Sequence, residues 1–189
     1  LPYTPQTVFV TLYLDGRYQS LYLLTQRLNV KGGTVQITDL DKANKKANPK
    51  LGAGLPETVV MDTDDDDHDA LAYAWENEPD NLTGGYLLEF QARYEKEDVW
   101  FKTDTLHVSF KSPETPSVGE YEYISDYVRE AEKALYSEDW TNPDTGLSVF
   151  DYFDMDSWAR MYLIQDFFVQ SDDEYYSFFF YKKADSPIS

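Results

Sequence analysis

The dipeptide Asp15-Gly16, which lies between two runs of β-favouring residues, restricts the fold of this chain more than any other feature. Residues 8–14 read VFVTLYL and residues 17–28 read RYQSLYLLTQRL. A type I′ turn needs positive φ at both central positions, which Asp-Gly tolerates, so the sequence predicts a β-hairpin. The second arm is nearly all apolar at residues 21–24, and we expect it to be buried on both faces or to continue into a bend.

Further strands are predicted along the first half of the chain. Gly-Gly pairs precede two of them, at residues 34–38 and 86–94. Two more short strands are predicted in the segments VWFKT, residues 99–103, and HVSFKSP, residues 107–113. The first half of the chain is therefore expected to form a mostly antiparallel sheet.

Helical periodicity dominates the second half. Between residues 118 and 136, apolar side chains recur three or four positions apart and predict one amphipathic helix: Tyr121, Ile124, Tyr127, Val128, Ala131 and Leu135. A second helix, residues 157–169, is expected to start at a capping Asp154 or Asp156. Its apolar residues surround most of the helix, which predicts a buried helix. A last strand is predicted at residues 177–183.

The order of these elements predicts an α+β protein with two lobes and a cleft between them. Residues 1–112 would form a β-rich N-terminal lobe, and residues 113–189 a helical C-terminal lobe. Residues 39–82 change in composition, and we expect a long and partly mobile acidic insertion there. A short helical turn is predicted within it, near residues 71–75.

The charge of the chain excludes some partners. The formal net charge is -19, so binding to nucleic acid through a basic patch is not expected. Such a chain would attract basic partners or divalent cations. The sequence contains no cysteine, no apolar run of about 20 residues that could span a bilayer, and no visible signal peptide.

Four segments, taken in order, resemble the bacterial spore coat protein H kinase family. They are the hairpin VFVTLYLDGRYQSLYLLTQRL, the strand GGYLLEF, the helix YISDYVREAEKALYS, and the stretch FDMDSWARMYLIQDFFVQSDDEYYSFFFYKK. The resemblance implies an atypical protein-kinase-like fold, with an antiparallel β N-lobe and a helical C-lobe. It also implies a protein serine/threonine kinase that uses ATP and Mg²⁺.

The same resemblance implies the site residues. Asp172 matches the catalytic aspartate of the family, which accepts or orients the proton of the substrate hydroxyl. Glu89 and Gln26 match nucleotide-binding positions of the N-lobe, and Ser177 matches a magnesium position. The implied substrates are secreted or coat proteins with serines between basic residues. The implied location is outside the cell, at the cell surface or in the spore coat of a bacterium.

Three departures from the family pattern keep an alternative open. Gln26 stands where the family has Glu, Ser20 where it has Gly, and Ser177 where it has Asn. The family's second key aspartate would follow a segment beyond the last strand. The alternative is a non-catalytic surface or calcium-binding module of the same fold.

An aspartate run that begins at Asp62 and ends at Asp69 is the candidate calcium site. Carboxylate oxygens are the ligands that Ca²⁺ prefers. The run is not an EF-hand loop, because Asp67 stands at its sixth position and Tyr73 at its twelfth. A solvated, self-repelling loop is the other reading.

The remaining candidate chemistry is weaker. With two histidines in the chain, His68 and His107, a histidine-based triad or metal pair is not expected. Three tryptophans could form a platform for a carbohydrate: Trp75, Trp100 and Trp140. Positions in the core are favoured for them, and a carbohydrate-binding module stays a weaker alternative.

Overall fold

The computed structural model describes residues 4–64, 67–90, 96–169 and 178–189. Its contacts divide the chain into two compact units, Leu1–Gln36 and Ile37–Ser189. The division into lobes between residues 112 and 113 stays a prediction.

The first unit contains the predicted hairpin. Strands β1 (Thr7–Leu14) and β2 (Arg17–Thr25) pair antiparallel. Asp15 and Gly16 both have positive φ, 50° and 75°, as the type I′ turn requires. The expectation that β2 is buried on both faces is wrong, because all nine of its residues are exposed. Residues 34–38 do not form the predicted strand either, but belong to turns and irregular backbone.

The segment expected to be a long insertion is largely ordered. Helix α1 (Leu40–Ala47) starts at Asp39, whose side chain accepts a hydrogen bond from Lys42 N. A 3₁₀ turn (Pro49–Leu51) follows, and then strands β3 (Thr58–Thr63) and β4 (Asp69–Tyr73) pair antiparallel. The predicted helical turn at residues 71–75 is wrong, because most of it is β4. Its small residues Ala70 and Ala72 are fully buried.

The central sheet has four antiparallel strands in the order β6-β7-β5-β8. Their bounds are β5 (Tyr86–Phe90), β6 (Trp100–Lys102), β7 (His107–Ser112) and β8 (Phe178–Lys182). All four strands were predicted. Residues 91–95 and 177 lie outside the described residues, so the outer ends of two predictions stay untested.

Helix α2 (Val118–Leu135) supplies one wall of the core. Ser117 caps it, and Ser117 and Glu120 form a reciprocal capping box. The aromatic ring of Tyr121 stacks on that of Phe110 at 5.8 Å between centroids, and its hydroxyl donates to Trp100 O. Ile124 is fully buried in the same cluster. The predicted apolar stripe of α2 is therefore confirmed as the core-facing side, except at its last residue, Leu135, which is exposed.

Two shorter elements follow α2. Helix α3 (Val149–Tyr152), which was not predicted, packs Val149 and Tyr152 against α2. Helix α4 (Met155–Phe168) starts at the predicted cap Asp154. The expectation of a buried helix is wrong, because none of its residues is buried. Only its first turns meet the core, through Trp158, which contacts Phe153 and Phe178.

The Gly84-Gly85 pair and Lys182 fasten β5 to the last strand. A Cβ on Gly84 would lie 2.0 Å from Ala184 N, and Gly85 has φ +115° beside Leu40. The buried ammonium of Lys182 donates to Thr83 O and Ser186 O, and it lies 4.4 Å from the ring centroid of Tyr127. Close backbone contact therefore requires glycine at this crossing.

The fold is thus mixed α/β, with antiparallel sheets and four α-helices in the described residues. None of those helices is long and apolar enough to cross a membrane.

Candidate functional site

The candidate site lies on the face of the central sheet that turns away from α2. Leu88 and Phe90 of β5 point into the core. Because side chains alternate along a strand, Glu89 points to the opposite face. Glu89 is nevertheless only 4% exposed. A carboxylate at that depth requires a positively charged or hydrogen-bonding partner.

Lys111 is that partner, and a β-bulge aims it. Leu87 pairs with Ser112 and Leu88 with Phe110, which leaves Lys111 as the extra residue of β7. Bulges re-aim side chains in this way and are frequent beside functional sites. Lys111 Nζ lies 2.8 Å from Glu89 Oε2 and 2.6 Å from Glu97 Oε1.

The electrostatics of this group, which we call the Glu89–Lys111–Glu97 cluster, keep the lysine charged. Burial alone would lower the pKa of Lys111, but the hydrogen bonds and charges of Glu89 and Glu97 outweigh burial, and the pKa lies above its ordinary value. Two carboxylates face one ammonium. The cluster is therefore a fixed cation inside a net acidic setting.

Both histidines lie around Trp100, and His68 also contacts the cluster. The ring of His68 stacks on the indole of Trp100 at 5.9 Å, and the ring of His107 lies 5.7 Å away from it. His68 Nε2 is 2.9 Å from Glu97 O, so the β3–β4 hairpin meets the backbone of a cluster residue. Burial lowers the pKa of His107, helped by Lys102 and opposed by Asp64 and Asp62.

The residues predicted for the site have different outcomes. Glu89 lies in the cluster just described. Gln26 lies in the first unit, just after β2, where its side chain accepts from Gln6 N at 3.4 Å and its backbone N donates to Gln6 O. Asp172 and Ser177 lie outside the described residues. Their roles stay predictions.

The described residues of the aspartate run belong to the β3–β4 hairpin, and Asp65 and Asp66 lie outside the described residues. Asp62 ends up within 3.8 Å of Lys102 Nζ, and Asp69 accepts from Thr63 Oγ1 at 2.7 Å. Asp64 is buried and accepts from His68 N. Among residues 4–64, 67–90, 96–169 and 178–189, no group of three or more His, Asp or Glu side chains is placed to hold a metal ion. The calcium prediction rests on the sequence alone.

The sequence reasoning missed Lys111 and Glu97. In the segment HVSFKSP, Lys111 follows Phe110, which is buried. Alternation along a strand would therefore turn the side chain of Lys111 away from the core. The bulge that aims it at Glu89 leaves no mark in the sequence. Glu97 precedes β6 in a charged stretch and has no distinguishing pattern.

An apolar cavity lies on the other side of the sheet from the cluster. It has a volume of about 240 Å³ and is lined by side chains that include Phe90, Val128, Trp158 and Phe180. Since Phe90 and Glu89 point to opposite faces, this cavity is separate from the cluster.

Tryptophan burial also bears on the carbohydrate alternative. Trp75 and Trp100 are buried and Trp140 is exposed. The core assignment favoured from the sequence is confirmed for the first two.

The chain was compared with protein-family models, with curated proteins and with solved structures, and no match was found.

Proposed function

We propose that this chain is a kinase-like phosphotransferase domain that resembles the spore coat protein H kinases. The observation that carries the proposal is the buried Glu89–Lys111 ion pair. Protein kinases place a lysine against nucleotide phosphates and hold it with a glutamate. Glu89 was selected from the family resemblance, and its pairing with a lysine supports that selection.

The residues of the cluster suit ATP and Mg²⁺ by their chemistry. The ammonium of Lys111 is a phosphate-binding group, and it keeps 24% of its side chain exposed. The carboxylate of Glu97, which is 31% exposed, is an oxygen ligand of the kind Mg²⁺ takes. When bound, ATP supplies the phosphoryl group and Mg²⁺ neutralises its charge.

Each chain residue has a defined task in this proposal. Glu89 orients Lys111, Lys111 contacts a phosphate oxygen, and Asp172 accepts or orients the proton of the substrate hydroxyl. Ser177 offers a neutral side chain for the metal position, and Gln26, in the first unit, stays a candidate for nucleotide binding from the sequence alone. The two-lobed kinase arrangement of the chain belongs to the same proposal.

The substrate class follows from charge. A domain with a net charge of -19 attracts Lys/Arg-rich partners over about one Debye length. We propose serines or threonines in basic segments of secreted or coat proteins as the acceptors. The proposed place of action is the surface or spore coat of a bacterium.

Nucleotide binding gives the first test. At 100 times the dissociation constant, ATP with Mg²⁺ should stabilise the protein by about 2.7 kcal/mol. Lys111→Met should lose this ligand-dependent shift, measured against its own ligand-free melting temperature. The control is Lys102→Met, which removes a lysine from the neighbouring strand β6. An equal ATP-dependent shift in all three proteins would refute the role of Lys111.

Phosphoryl transfer gives the second test. Radiolabelled ATP and a basic Ser-rich peptide are offered to the wild type, Asp172→Asn and Asp166→Asn. Asp166, exposed near the end of α4, provides the same change of charge close by in the sequence. Loss of incorporation in Asp172→Asn alone supports the proposal, and equal incorporation by all three contradicts the catalytic role of Asp172.

A non-catalytic binding module is the second candidate. The exposed apolar residues of α4 favour it, since large exposed apolar patches mark interaction surfaces: Tyr162, Leu163, Phe167 and Phe168. A wild type that shows neither an ATP-dependent shift nor phosphoryl transfer would favour this candidate.

A further inference from the structure

A buried hydrogen-bonded joint fastens α1 to the first turn of α2. Ser117 N donates to Glu120 Oε2 at 2.8 Å, and Glu120 N donates to Ser117 Oγ at 3.0 Å. Asn44 of α1 donates from Nδ2 to the same Oε2 atom at 2.8 Å. Glu120 and Asn44 are both 0% exposed. Their contact therefore lies wholly inside the protein.

Two oxygen atoms of this joint lack a hydrogen-bond donor. They are Glu120 Oε1 and Asn44 Oδ1, the remaining polar atoms of the two side chains that Nδ2 and Oε2 already join. A buried acceptor without a donor costs about 1–3 kcal/mol. Exchanging the oxygen and nitrogen of the Asn44 amide would still leave Asn44 Oδ1 without a donor, because that oxygen would then face Oε2.

We propose that Glu120 and Asn44 share one bound proton, which Glu120 carries on Oε1 and donates to Asn44 Oδ1. Asn44 Nδ2 donates in return to Oε2. The neutral acid and the amide then face each other through two hydrogen bonds. A single proton satisfies both of the oxygens that otherwise have no donor.

The charges around Glu120 favour the neutral form. In the described part of the chain, the charged groups that face it are the carboxylates of Asp41 in α1 and Glu78 in the segment before β5. The Tyr86 hydroxyl of β5 also faces it. Burial foremost, and then Glu78 and Asp41, raise the pKa of Glu120 to about 7, against the hydrogen bonds from Asn44 and Ser117.

Apart from Ser117 N, donors near this helix start are engaged by other carboxylates. Glu78 accepts from Gly119 N and from Ser117 Oγ. Asp41 accepts from Glu114 N at 3.0 Å and Thr115 N at 2.9 Å. The positive end of the α2 dipole thus already faces the carboxylate of Glu78. An ionised Glu120 would face like charges from Glu78 and Asp41.

The bound proton makes the α1–α2 joint sensitive to pH. In the unfolded chain Glu120 titrates at its ordinary pKa of 4.5, and in the folded chain at about 7. Between those values the folded state holds a proton that the unfolded state lacks, so stability falls as pH rises. The folding constant should fall about tenfold per pH unit across this window and level off above it.

The test compares the wild type with Glu120→Gln in urea denaturation between pH 5 and 8. A glutamine amide reproduces the hydrogen bonds of the neutral acid, and it does not titrate. The ratio of the wild-type folding constant to that of Glu120→Gln should fall by at least tenfold from pH 5 to 7. Glu122→Gln, an exposed position of the same helix, controls for the change of net charge and should follow the wild type.

Two results would overturn the proposal. One is a wild type and a Glu120→Gln variant whose stabilities change in parallel with pH. The other is a Glu120→Gln variant that does not fold, because the amide should replace the shared proton without loss. Carbon-13 NMR of the wild type gives a direct reading: the Glu120 carboxyl should titrate near neutrality, and a titration near the ordinary pKa of 4.5 contradicts the assignment. None of these measurements depends on nucleotide binding.

Discussion

The Glu89–Lys111 pair should couple strongly when its partners are removed singly and together. Two unit charges 2.8 Å apart attract by about 6 kcal/mol at an effective dielectric constant of about 20. Desolvation of the nearly buried Glu89 consumes most of this attraction. Removing one partner of a buried pair costs about 3–5 kcal/mol, whereas replacing both with neutral groups is often neutral.

The partial exposure of Lys111 lowers the expected loss. We expect Lys111→Met to cost about 2–3 kcal/mol, which corresponds to a melting temperature lower by about 5–10 °C for a unit of this size. The double variant Glu89→Gln/Lys111→Met should recover at least about 1 kcal/mol relative to the sum of the single variants.

Urea denaturation followed by tryptophan fluorescence measures these differences, because all four tryptophans lie in the second unit. Lys133→Met is the control. It breaks the exposed pair with Asp144, and the denaturation midpoint should not move. Our reasoning fails if Lys111→Met denatures at the wild-type midpoint, or if the losses of the single variants add up to that of the double variant.

Two further outcomes are expected. Gly84→Ala should lower the free energy of unfolding by more than about 3 kcal/mol, because the new Cβ meets the Ala184 backbone, which cannot move aside as a side chain would. The control is Gly32→Ala, whose new Cβ meets only the Asn29 side chain at 3.5 Å. Measured by circular dichroism, this control should melt within about 2 °C of the wild type. The side chain of Phe167 is 76% exposed, so Phe167→Ser should lower the fluorescence of a bound apolar dye and leave the denaturation midpoint unchanged. A large loss of stability would instead show that this side chain packs in the folded protein.

Local chemistry accounts for the elements that were predicted well. The Asp15-Gly16 turn follows from its backbone requirement, and α2 follows from its stripe and from the Ser117–Glu120 capping box. These signals lie within a few residues of one another. They therefore need no knowledge of the rest of the fold.

The elements that were missed depend on partners distant in the sequence. Helix α1 has one fully buried apolar residue, Leu40, and its remaining attachment is polar, through Asp41 and Asn44. Strand β4 buries two small alanines, which give little alternation in hydrophobicity. Neither segment carries the apolar pattern on which sequence reasoning depends.

The exposure of α4 shows a different limit of sequence reasoning. Apolar residues around the whole helix predict that other parts of a protein pack against it. They do not identify whether that partner surface belongs to this chain or to another. The position of Lys111 is limited in the same way, since a one-residue bulge decides which carboxylates its ammonium meets. Glu89 was therefore named as a candidate from the sequence, whereas its partner Lys111 was not.

The pairing of β5 with β8 has a consequence for folding during synthesis. Lys182 contacts Thr83, 99 positions earlier in the chain, and Tyr86 pairs with Lys182 across the same sheet. During translation, one edge of β5 stays open until the last strand has left the ribosome, and open strand edges invite pairing with other chains. The late arrival of a single strand thus sets a period during which this edge of β5 is open to pairing with other chains.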